Sequence, residues 1–314
     1  MKKTEYKDSV KELIIIGSGP AGLSAAIYSS RYKINHLVIG AQFGGLISTA
    51  HKVCNYPGFP EIDGFELGKK MYDHALLEGS SIINETVKSV SFGDNLFEVI
   101  TESGNRYHSY FLLFAAGTER RKLALDGEDK YLGKGVTYCA TCDAMFYKGK
   151  VVGVVGGSNA ATTAALYLSE VSSKVYMFVR GSRLLGERVW IDNVLSNSNI
   201  EVIYKVNVAE LLGDKLLGGV ILDNGDEISL DGLFIEIGSV PNTELLKSFK
   251  LDYDKNGYVK VDSKQESSQK RLFLAGDITT ASNRFNQVVT AVAEGAIAAN
   301  SIYEDLVIFK GKKD

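Results

Sequence analysis

"ELIIIGSGPAGLSAAIYSSR", residues 12–31, indicates how this chain folds. The run "ELIII" suits a short buried parallel strand, and the small residues in "LSAAIYSSR" let a helix lie close to a sheet. Between them, Gly17 permits a tight turn, Gly19 lets backbone approach a pyrophosphate, and Gly22 allows close helix–sheet packing. The free N–H groups of the helix N-terminus would face the phosphates. The stretch therefore predicts a strand–glycine turn–helix unit that binds a dinucleotide.

One feature of such a unit is missing, the acidic residue that binds the adenosine ribose. It is expected near position 39, where the chain has Ile39 followed by Gly40. A glycine-rich packing turn that binds no nucleotide is therefore the alternative interpretation. The strand before the glycines and the helix after them favour nucleotide binding.

A second strand–glycine–helix unit begins near residue 150. "KVVGVVGG" is a strand that runs into glycines, "NAATTAALYLSE" is a helix, and "KVYMFV" is the next strand. Gly156 opens the turn, Ser158 stands where the middle glycine is expected, and Ala161 ends the pattern. The Cβ of Ser158 lies where backbone would approach the pyrophosphate, so a relic of the fold that binds no nucleotide is an alternative.

The two glycine units predict an α/β protein with two Rossmann-like dinucleotide-binding domains of three-layer ββα character. Alternating segments in residues 82–115 and 201–237 suit antiparallel meanders. The tail, residues 270–306, is a strand, a Gly-Asp turn and a long apolar helix, without a glycine-rich unit of its own. The simplest topology returns this tail to the first domain, so that the second domain is inserted into the first. The predicted boundaries are residues 1–119 and 248–314 for the first domain and residues 120–247 for the inserted domain.

Composition limits the class of protein. The chain has 314 residues, 45% hydrophobic content and a formal net charge of −3, which suits two ordinary globular domains. This charge argues against a dominant nucleic-acid surface, and no run approaches the roughly 18 apolar residues of a membrane span. The polar start "MKKTEYKDSV" lacks the apolar core of a secretory signal. Three cysteines cannot build the even-numbered disulfide framework of a secreted domain, so we expect a cytoplasmic protein.

"GVTYCATCDAMFYKGK", residues 135–150, holds Cys139 and Cys142 with Asp143 directly behind them. Zinc sites, structural disulfides and redox-active pairs all use this spacing. A redox pair fits best, because a short ring opens and closes with little rearrangement and a helix start at "CDAMF" lowers a thiol pKa. Asp143 would supply a proton to a departing thiolate.

The other two uses of the cysteine pair are less favoured. A zinc site would need His51 and Cys54 as further ligands, whereas closed zinc sites usually carry two compact knuckles and no nucleotide loops. Cys54 is instead interpreted as a small buried hydrophobe, and no metal is expected. A structural disulfide across two intervening residues would constrain the unfolded chain very little.

Several segments together resemble the low-molecular-weight thioredoxin reductases, over essentially the whole chain. The resemblance implies that the first and last parts of the chain bind FAD and that the inserted domain binds NADPH. It also implies that Cys-x-x-Cys-Asp faces the flavin, and that the protein is a homodimer whose partner is a thioredoxin-like protein. The segments that carry the resemblance are "GSGPAG" at 17–22, "NYPGF" at 55–59, "YCATCDAMFYKGK" at 138–150, "LAGDI" at 274–278 and "FNQVVTAVAEG" at 285–295.

The same resemblance implies roles for individual residues of the inserted domain. Cys142 would be the thiol next to the flavin, Cys139 the thiol that attacks thioredoxin, and Asp143 the acid. The implied nicotinamide-nucleotide residues are Gly156, Asn159, Ala161 and Arg180.

For FAD, the resemblance implies that Asn55 contacts the flavin and that Asp277 contacts the ribityl or phosphate region. Gln287 and Val288 would present the N-terminus of the last helix to the N1–C2=O edge of the flavin, where its dipole favours negative charge. The implied FAD-binding residues are Gly17, Gly19, Pro20, Ala21, Gly22, Gly44, Gly45, Asn55, Gly117, Gly276, Asp277, Gln287 and Val288.

Departures from the family are concentrated in the inserted domain. The family pattern of His-Arg-Arg with a further Arg should fall on residues 179–185, where the chain has "VRGSRLL" and only Arg180 matches. Guanidinium groups bind a 2′-phosphate bidentately and cannot be replaced by glycine or leucine. We therefore expect poor use of NADPH and leave the donor open between NADPH, NADH and a reduced ferredoxin. Further departures are Thr163 in place of a glutamate, Leu46 in place of a glutamine and Asn286 in place of an arginine.

The sequence thus predicts a FAD-dependent thioredoxin-disulfide reductase. Electrons would pass from a low-potential donor through FAD and the Cys139–Cys142 disulfide to a thioredoxin-like protein. The rival among enzymes is a flavin-dependent dithiol oxidase that passes electrons from the cysteines to oxygen. The rival from another class is a non-catalytic flavoprotein scaffold, and the labile thiol pair argues against it.

Overall fold

The computed structural model describes residues 10–311, which divide into two compact units. One unit contains the described residues up to Glu119 and those from Pro241 onward, and the other is Arg120–Val240. The second boundary lies at Val240 rather than after residue 247, because Leu246 is fully buried in the core of the first unit. The expectation about a secretory signal depends on residues 1–9, which lie outside the described residues.

The described residues form strands and helices in the following order. The strands are β1 (Val10–Ile16), β2 (His36–Ile39), β3 (Ile82–Ile83), β4 (Val87–Gly93), β5 (Leu96–Thr101), β6 (Arg106–Phe114), β7 (Thr118–Arg120), β8 (Val136–Thr137), β9 (Val151–Val155), β10 (Lys174–Val179), β11 (Ile200–Tyr204), β12 (Val208–Gly213), β13 (Leu217–Leu222), β14 (Glu227–Ser229), β15 (Gly232–Ile235), β16 (Ser239–Pro241) and β17 (Leu272–Leu274). The α-helices are α1 (Pro20–Arg31), α2 (Gly64–Leu77), α3 (Glu128–Tyr131), α4 (Ala140–Asp143), α5 (Asn159–Ser169), α6 (Arg188–Ser196) and α7 (Val288–Gly311). Short 3-10 helices cover Gly45–Thr49, Ala144–Tyr147, Glu244–Leu246 and Ala281–Arg284.

The first unit is built on a seven-stranded sheet in the order β3-β2-β1-β6-β5-β4, with β17 also paired to β6. Strand β1 is buried because side chains from both of its faces enter a core. Leu13 and Ile15 pack with α1 and α7, whereas Ile14 and Ile16 pack on the opposite face. Strands β4, β5 and β6 are antiparallel neighbours, which confirms the meander predicted in residues 82–115.

The second unit repeats the parallel arrangement, with a five-stranded sheet in the order β11-β10-β9-β15-β8. Strands β12, β13 and β14 form a separate antiparallel sheet. The meander predicted over residues 201–237 was therefore too long, because its first and last segments, β11 and β15, join the parallel sheet. The α/β fold with two strand–glycine–helix units is confirmed. No helix within residues 10–311 combines the length and the apolar character that a bilayer crossing requires.

Candidate active site

Cys139 and Cys142 form a disulfide at the start of α4, with their Cα atoms 5.3 Å apart. The Cys142 N–H donates a hydrogen bond to the Sγ of Cys139 at 3.2 Å. Such a donor stabilises the thiolate form of the sulfur that it contacts, which favours reactivity once the disulfide opens. Cys142 is exposed and Cys139 is partly exposed. The pair therefore has the geometry of a redox-active disulfide that a partner protein can reach.

Thr137 connects the disulfide to Asp143. Its hydroxyl donates to Oδ2 of Asp143 at 2.5 Å, and the same oxygen accepts from the Cys139 N–H at 3.1 Å. Thr137 is buried at the end of β8, so one fixed side chain orients both the acid and the first cysteine. Thr137 was not among the predicted site residues, because its sequence carries no signal other than its position two residues before Cys139.

Tyr147 fixes the cysteine segment against β15. Its ring lies edge-on to that of Phe234, with centroids 5.2 Å apart, and a Cβ on Gly232 would meet this ring at 2.3 Å. Only glycine at position 232 leaves room for the ring. Burial raises the pKa of Tyr147, and the charges of Asp143 and Asp231 raise it further, so the phenol stays protonated. Tyr147 is therefore an anchor for the segment that follows the disulfide.

Cys54 is an exposed thiol outside the disulfide, so its interpretation as a small buried hydrophobe was wrong. The neighbouring Val53 is paired with Ile62 and is buried instead. Successive side chains of an extended segment point to opposite sides, and burial of Val53 leaves Cys54 facing outward. Within residues 10–311, no three His, Cys, Asp or Glu side chains are grouped as metal ligands would be.

The first glycine loop leads directly into α1, and its three glycines differ in what surrounds them. Gly17 has φ +112° and a Cβ there would lie 2.2 Å from the Ala115 carbonyl oxygen, while one on Gly22 would lie 1.9 Å from the Gly17 carbonyl oxygen. The packing of the protein itself thus requires glycine at both positions. Gly19 differs, because its φ of −82° suits any residue and a Cβ there would come no closer than 3.7 Å to another atom. The first turn of α1 begins with Pro20 and has no side-chain cap, so its N–H groups fit an anion such as a pyrophosphate.

The C-terminal segment meets the start of α1 at Ala21. A Cβ on Gly295 of α7 would lie 2.1 Å from the Ala21 carbonyl oxygen, and one on Gly276 would lie 3.0 Å from the Ala21 Cβ. Glycine at these positions lets α7 and the turn after β17 approach the glycine loop. Asp277 lies in that turn, and burial together with the charge of Glu294 raises its pKa to about 6. The structure therefore brings the first loop and the Gly-Asp turn together.

Two of the implied flavin contacts are joined directly. The Nδ2 of Asn55 donates to Oε1 of Gln287 at 3.0 Å, immediately before α7 begins at Val288. The backbone N–H of Gln287 is held by the hydroxyl of Thr290 at 3.2 Å. Gly44, Gly45 and Gly117 have φ of +67°, +64° and +61°, and Gly45 approaches the first loop closely enough that a Cβ would lie 3.0 Å from the Gly19 Cα.

The second glycine loop keeps the turn but narrows the space in front of its helix. Gly156 has φ +137°, and a Cβ there would lie 2.2 Å from the Glu236 carbonyl oxygen and 3.0 Å from the Cβ of the fully buried Ala161. Ser158 precedes α5 and is exposed, and its side chain does not cap the helix. Its Cβ and hydroxyl stand where the first loop has a bare glycine.

The segment after β10 covers the start of α5. The Leu185 N–H donates to the Gly157 carbonyl oxygen at 2.7 Å, and the Glu187 N–H donates to Oδ1 of Asn159 at 2.6 Å. Asn159 therefore holds this segment in place with its side chain. The side chain of Leu185 is 68% exposed at the position where the family pattern has an arginine, and Arg180 is exposed at the end of β10.

Two charged residues of this unit were not identified from the sequence. Glu236 is buried at the exit of β15, and its Oε2 pairs with Nη1 of Arg120 at 2.5 Å. Burial raises the pKa of Glu236 to about 7, although Arg120 acts in the opposite direction. An acid within the apolar run "LFIEIG" was the sequence signal that could have found it.

Comparisons with known proteins agree with this arrangement. The model of the pyridine nucleotide-disulphide oxidoreductase family matches residues 11–295. Thioredoxin reductase of Mycoplasma genitalium is 34% identical over 307 residues, which cover 96% of this chain and 97% of that protein. The crystal structure of T. acidophilum thioredoxin reductase has a TM-score of 0.89 and 34% identity, covering 95% of this chain and 99% of that chain.

A third similar protein is described as a ferredoxin-flavin thioredoxin reductase, from Clostridium acetobutylicum. Its crystal structure has a TM-score of 0.52 and 34% identity, covering 95% of this chain and 98% of that chain. The resemblance inferred from the sequence motifs is therefore confirmed along nearly the whole chain. The chain belongs to the pyridine nucleotide-disulphide oxidoreductase family, and within it to the thioredoxin reductases.

Proposed function

We propose that this protein is a FAD-dependent thioredoxin-disulfide reductase. The observation that carries the proposal is the Cys139–Cys142 disulfide, whose first cysteine and neighbouring acid, Asp143, are both held by Thr137. The similarity to thioredoxin reductases extends over this motif and over nearly all of the chain. The names of these relatives give thioredoxin as the acceptor.

The first unit fits FAD by its own structure. The packing of the protein does not require glycine at position 19, where close approach of backbone to a pyrophosphate would explain it, and α1 presents uncapped N–H groups there. Asp277 and the hydrogen-bonded pair of Asn55 and Gln287 provide polar groups for the ribityl chain and the isoalloxazine edge. When bound, FAD supplies the two electrons that reduce the disulfide.

The cysteines carry those electrons to the acceptor. The Cys139 thiolate attacks the thioredoxin disulfide, which forms a mixed disulfide and releases one thioredoxin thiolate. Asp143 lies next to this pair and provides a proton to the released thiolate. Cys142 then gives up its proton and attacks the sulfur of Cys139, which restores the Cys139–Cys142 disulfide and releases the second thioredoxin thiolate, which takes up that proton.

The surface next to the disulfide suits a protein acceptor. Met145 and Phe146 follow Asp143 by only a few residues, and their side chains are 61% and 74% exposed. Exposed apolar side chains of this size beside a reactive pair favour a docking surface over a solvated loop. We assign them to thioredoxin binding.

A trapping experiment tests the proposed function. Cys142→Ser leaves Cys139 with no internal partner, and thioredoxin without its resolving cysteine cannot release itself. We expect a covalent one-to-one complex that dithiothreitol reverses, with no complex from the Cys139→Ser variant. No complex from either variant, or trapping only by the variant that keeps Cys142, would contradict the assignment of the two thiols.

The electron donor is a separate part of the proposal. We expect weak binding of NADPH and NADH, because Ser158 crowds the second loop and Leu185 replaces a phosphate-binding arginine. One similar protein is named a ferredoxin-flavin thioredoxin reductase. We therefore propose a reduced ferredoxin as the donor for this chain, with NADPH as a poor substitute.

Anaerobic titration of the FAD-loaded protein tests the donor. Reduced ferredoxin should bleach the flavin absorbance at stoichiometric concentration, whereas NADPH and NADH should do so only at high concentration. Efficient bleaching by micromolar NADPH would contradict this part of the proposal and leave thioredoxin reduction itself in place.

We also propose that the protein is a cytoplasmic homodimer. Helix α7 carries exposed apolar side chains, among them Ile297, Val307 and Ile308, which a second copy would cover. A cytoplasmic location suits a thiol pair that cycles between its reduced and oxidised forms. Sedimentation velocity of the FAD-loaded protein should give twice the chain mass, and a monomer at micromolar concentration would contradict the dimer.

A further inference from the structure

Arg180 and Lys205 are exposed cations that follow two neighbouring strands of the second unit. The register pairs Val179, the last residue of β10, with Tyr204, the last residue of β11, and the two cations come directly after this pair. The Lys205 N–H then donates to the Gly181 carbonyl oxygen at 3.1 Å. The two positive side chains therefore leave the sheet at the same corner.

Arg183 adds a third exposed cation to this corner, because the chain turns back after Gly181. A Cβ on Gly181 would lie 3.6 Å from the Arg183 carbonyl oxygen and 3.9 Å from the Arg183 backbone nitrogen. We call Arg180, Arg183 and Lys205 the basic corner. Three cations are thus held close together by one turn and one backbone hydrogen bond.

The positive charge of the basic corner is not neutralised by its surroundings. Within residues 10–311, no acid lies within ion-pair distance of the three side chains, and the nearby acids have other partners. Asp192 pairs with Nε of Arg188 at 3.0 Å, and Oε1 of Glu187 accepts from Nδ2 of Asn159 at 3.3 Å. Cations that repel one another in the free protein are stabilised when an anionic partner binds.

Two exposed apolar side chains lie on the segment that follows the basic corner. Leu185 is 68% exposed and Val189 is 55% exposed. The backbone beneath them is fixed, because Leu184 is buried and the Leu185 N–H donates to the Gly157 carbonyl oxygen at 2.7 Å. A preformed surface of apolar side chains beside free cations suits a protein partner, whereas a nucleotide phosphate requires only the cations.

The charge of the whole chain limits where an acidic partner can bind. The formal net charge is −3, so a protein with an acidic surface is repelled at long range. It associates readily only where a local positive surface outweighs that repulsion. The basic corner is such a surface, and the donor proposed for this chain is a protein rather than a nucleotide.

We propose that the basic corner, together with Leu185 and Val189, is the docking surface for an acidic electron-donor protein of the ferredoxin class. This inference rests on the proposed function, because it assigns a surface to the donor that the function requires. It also gives a role to Arg183 and Lys205, which lie outside the nucleotide-binding residues that the family resemblance implies.

The test measures the dissociation constant of oxidised ferredoxin for the FAD-loaded protein by isothermal titration calorimetry. The double variant Arg183→Gln/Lys205→Gln removes two exposed cations and keeps Arg180, and it should bind ferredoxin about tenfold more weakly at low salt. The difference should nearly disappear at about 1 M salt, where charges are screened beyond about 3 Å. Lys215→Gln removes an exposed cation from the turn between β12 and β13 and should bind like the unaltered protein.

A second variant tests the apolar part of the surface. Leu185→Ser removes apolar area without changing charge, so it should weaken ferredoxin binding while leaving the dependence on salt unchanged. Leu195→Ser, at a position that is 59% exposed on α6, is the matched control and should bind normally. Normal binding by Leu185→Ser would show only long-range attraction and would overturn docking at this surface.

Flavin bleaching by limiting reduced ferredoxin in a stopped-flow instrument gives a second readout, and the double variant should be slower by a similar factor. Equal ferredoxin affinity in the double variant and the unaltered protein would overturn the inference. A double variant that loses affinity for NADPH and keeps affinity for ferredoxin would also overturn it, because the corner would then be a nucleotide site. Ferredoxin that neither binds nor reduces the unaltered protein would overturn the proposed donor as well, while the trapping experiment would still test thioredoxin reduction.

Discussion

The hydroxyl of Thr137 donates a hydrogen bond to Oδ2 of Asp143 at 2.5 Å, while its oxygen accepts from the backbone of Cys139. A buried side chain thus sets the position of the Asp143 carboxyl relative to Cys139. The first prediction follows from this relationship.

Thr137→Val should lower the rate of thioredoxin reduction by about tenfold or more, because valine leaves the Asp143 oxygen and the Cys139 N–H without their partner. FAD content should be unchanged, since Thr137 belongs to the other unit. Stopped-flow measurement of thioredoxin reduction by the pre-reduced protein gives the rate. Thr137→Ser keeps the hydroxyl and should reduce thioredoxin at the rate of the unaltered protein. A serine variant as slow as the valine variant would show that the hydroxyl does not determine the rate.

Cys139→Ser should leave a lone Cys142 thiolate and produce a broad absorption band at long wavelength in the oxidised FAD-loaded protein. The reason is that a thiolate beside an oxidised flavin gives a charge-transfer transition. Absorption spectra of the two single-serine variants check this prediction. A band in Cys142→Ser and none in Cys139→Ser would reverse the two roles.

Cys54→Ala should keep turnover within a few-fold of the unaltered protein, because the Cys139–Cys142 pair is complete without it. Metal analysis of the unaltered protein should show no stoichiometric zinc. Loss of activity in Cys54→Ala together with one equivalent of zinc in the unaltered protein would show that Cys54 is a zinc ligand and would overturn the redox assignment.

Ser158→Gly combined with Leu185→Arg should strengthen NADPH binding by about tenfold or more, since it opens the phosphate space and adds a guanidinium group. Leu185 is 68% exposed, so a longer side chain fits without repacking. The dissociation constant of NADPH, measured by fluorescence quenching, checks the effect. Leu195→Arg, at a position that is 59% exposed on α6, adds the same charge away from the loop and should change little. Equal effects of the two arginines would indicate a non-specific charge effect.

Glu236→Gln should flatten the pH dependence of stability. The folded-state pKa of Glu236 is raised to about 7 from 4.5, so the folded protein binds a proton more tightly than the unfolded chain. The contribution of Glu236 to the free energy of unfolding is fully present below pH 4.5 and is lost as pH rises through about 7. Urea unfolding at pH 5 and pH 7 should therefore show that the free energy of unfolding falls less between these two pH values in the variant than in the unaltered protein. An identical loss in both proteins would show that Glu236 does not titrate as described.

The sequence predicted the parts of the fold that are local in the chain. The glycine turn at Gly17, the repeat at Gly156 and the strand–turn–helix tail are recognisable because residue type and spacing act within one short segment. The boundary at Val240 was harder to predict from the sequence, since it depends on where Leu246 is buried. Burial of a single residue in a short connecting segment has no periodic signal.

The parts of the candidate site that sequence analysis missed depend on contacts between separate segments. Glu294 reaches back to Gly276 across the turn, and Glu236 meets Arg120 from the other end of its unit. Hydrogen-bond partners that are far apart in the chain leave no motif. An acid within an apolar run was the available signal in both cases, and a side chain such as Thr137 had no such signal.

The central claim is that the Cys139–Cys142 pair delivers electrons from FAD to thioredoxin. The most direct measurement is a single-turnover experiment under anaerobic conditions, in which the FAD-loaded protein is reduced with dithionite, freed of excess reductant and mixed with oxidised thioredoxin. We predict the appearance of thioredoxin thiols together with return of the oxidised flavin spectrum, and the loss of both in Cys139→Ser. Reoxidation of the flavin only when oxygen is admitted, with no thioredoxin thiols formed, would contradict the account.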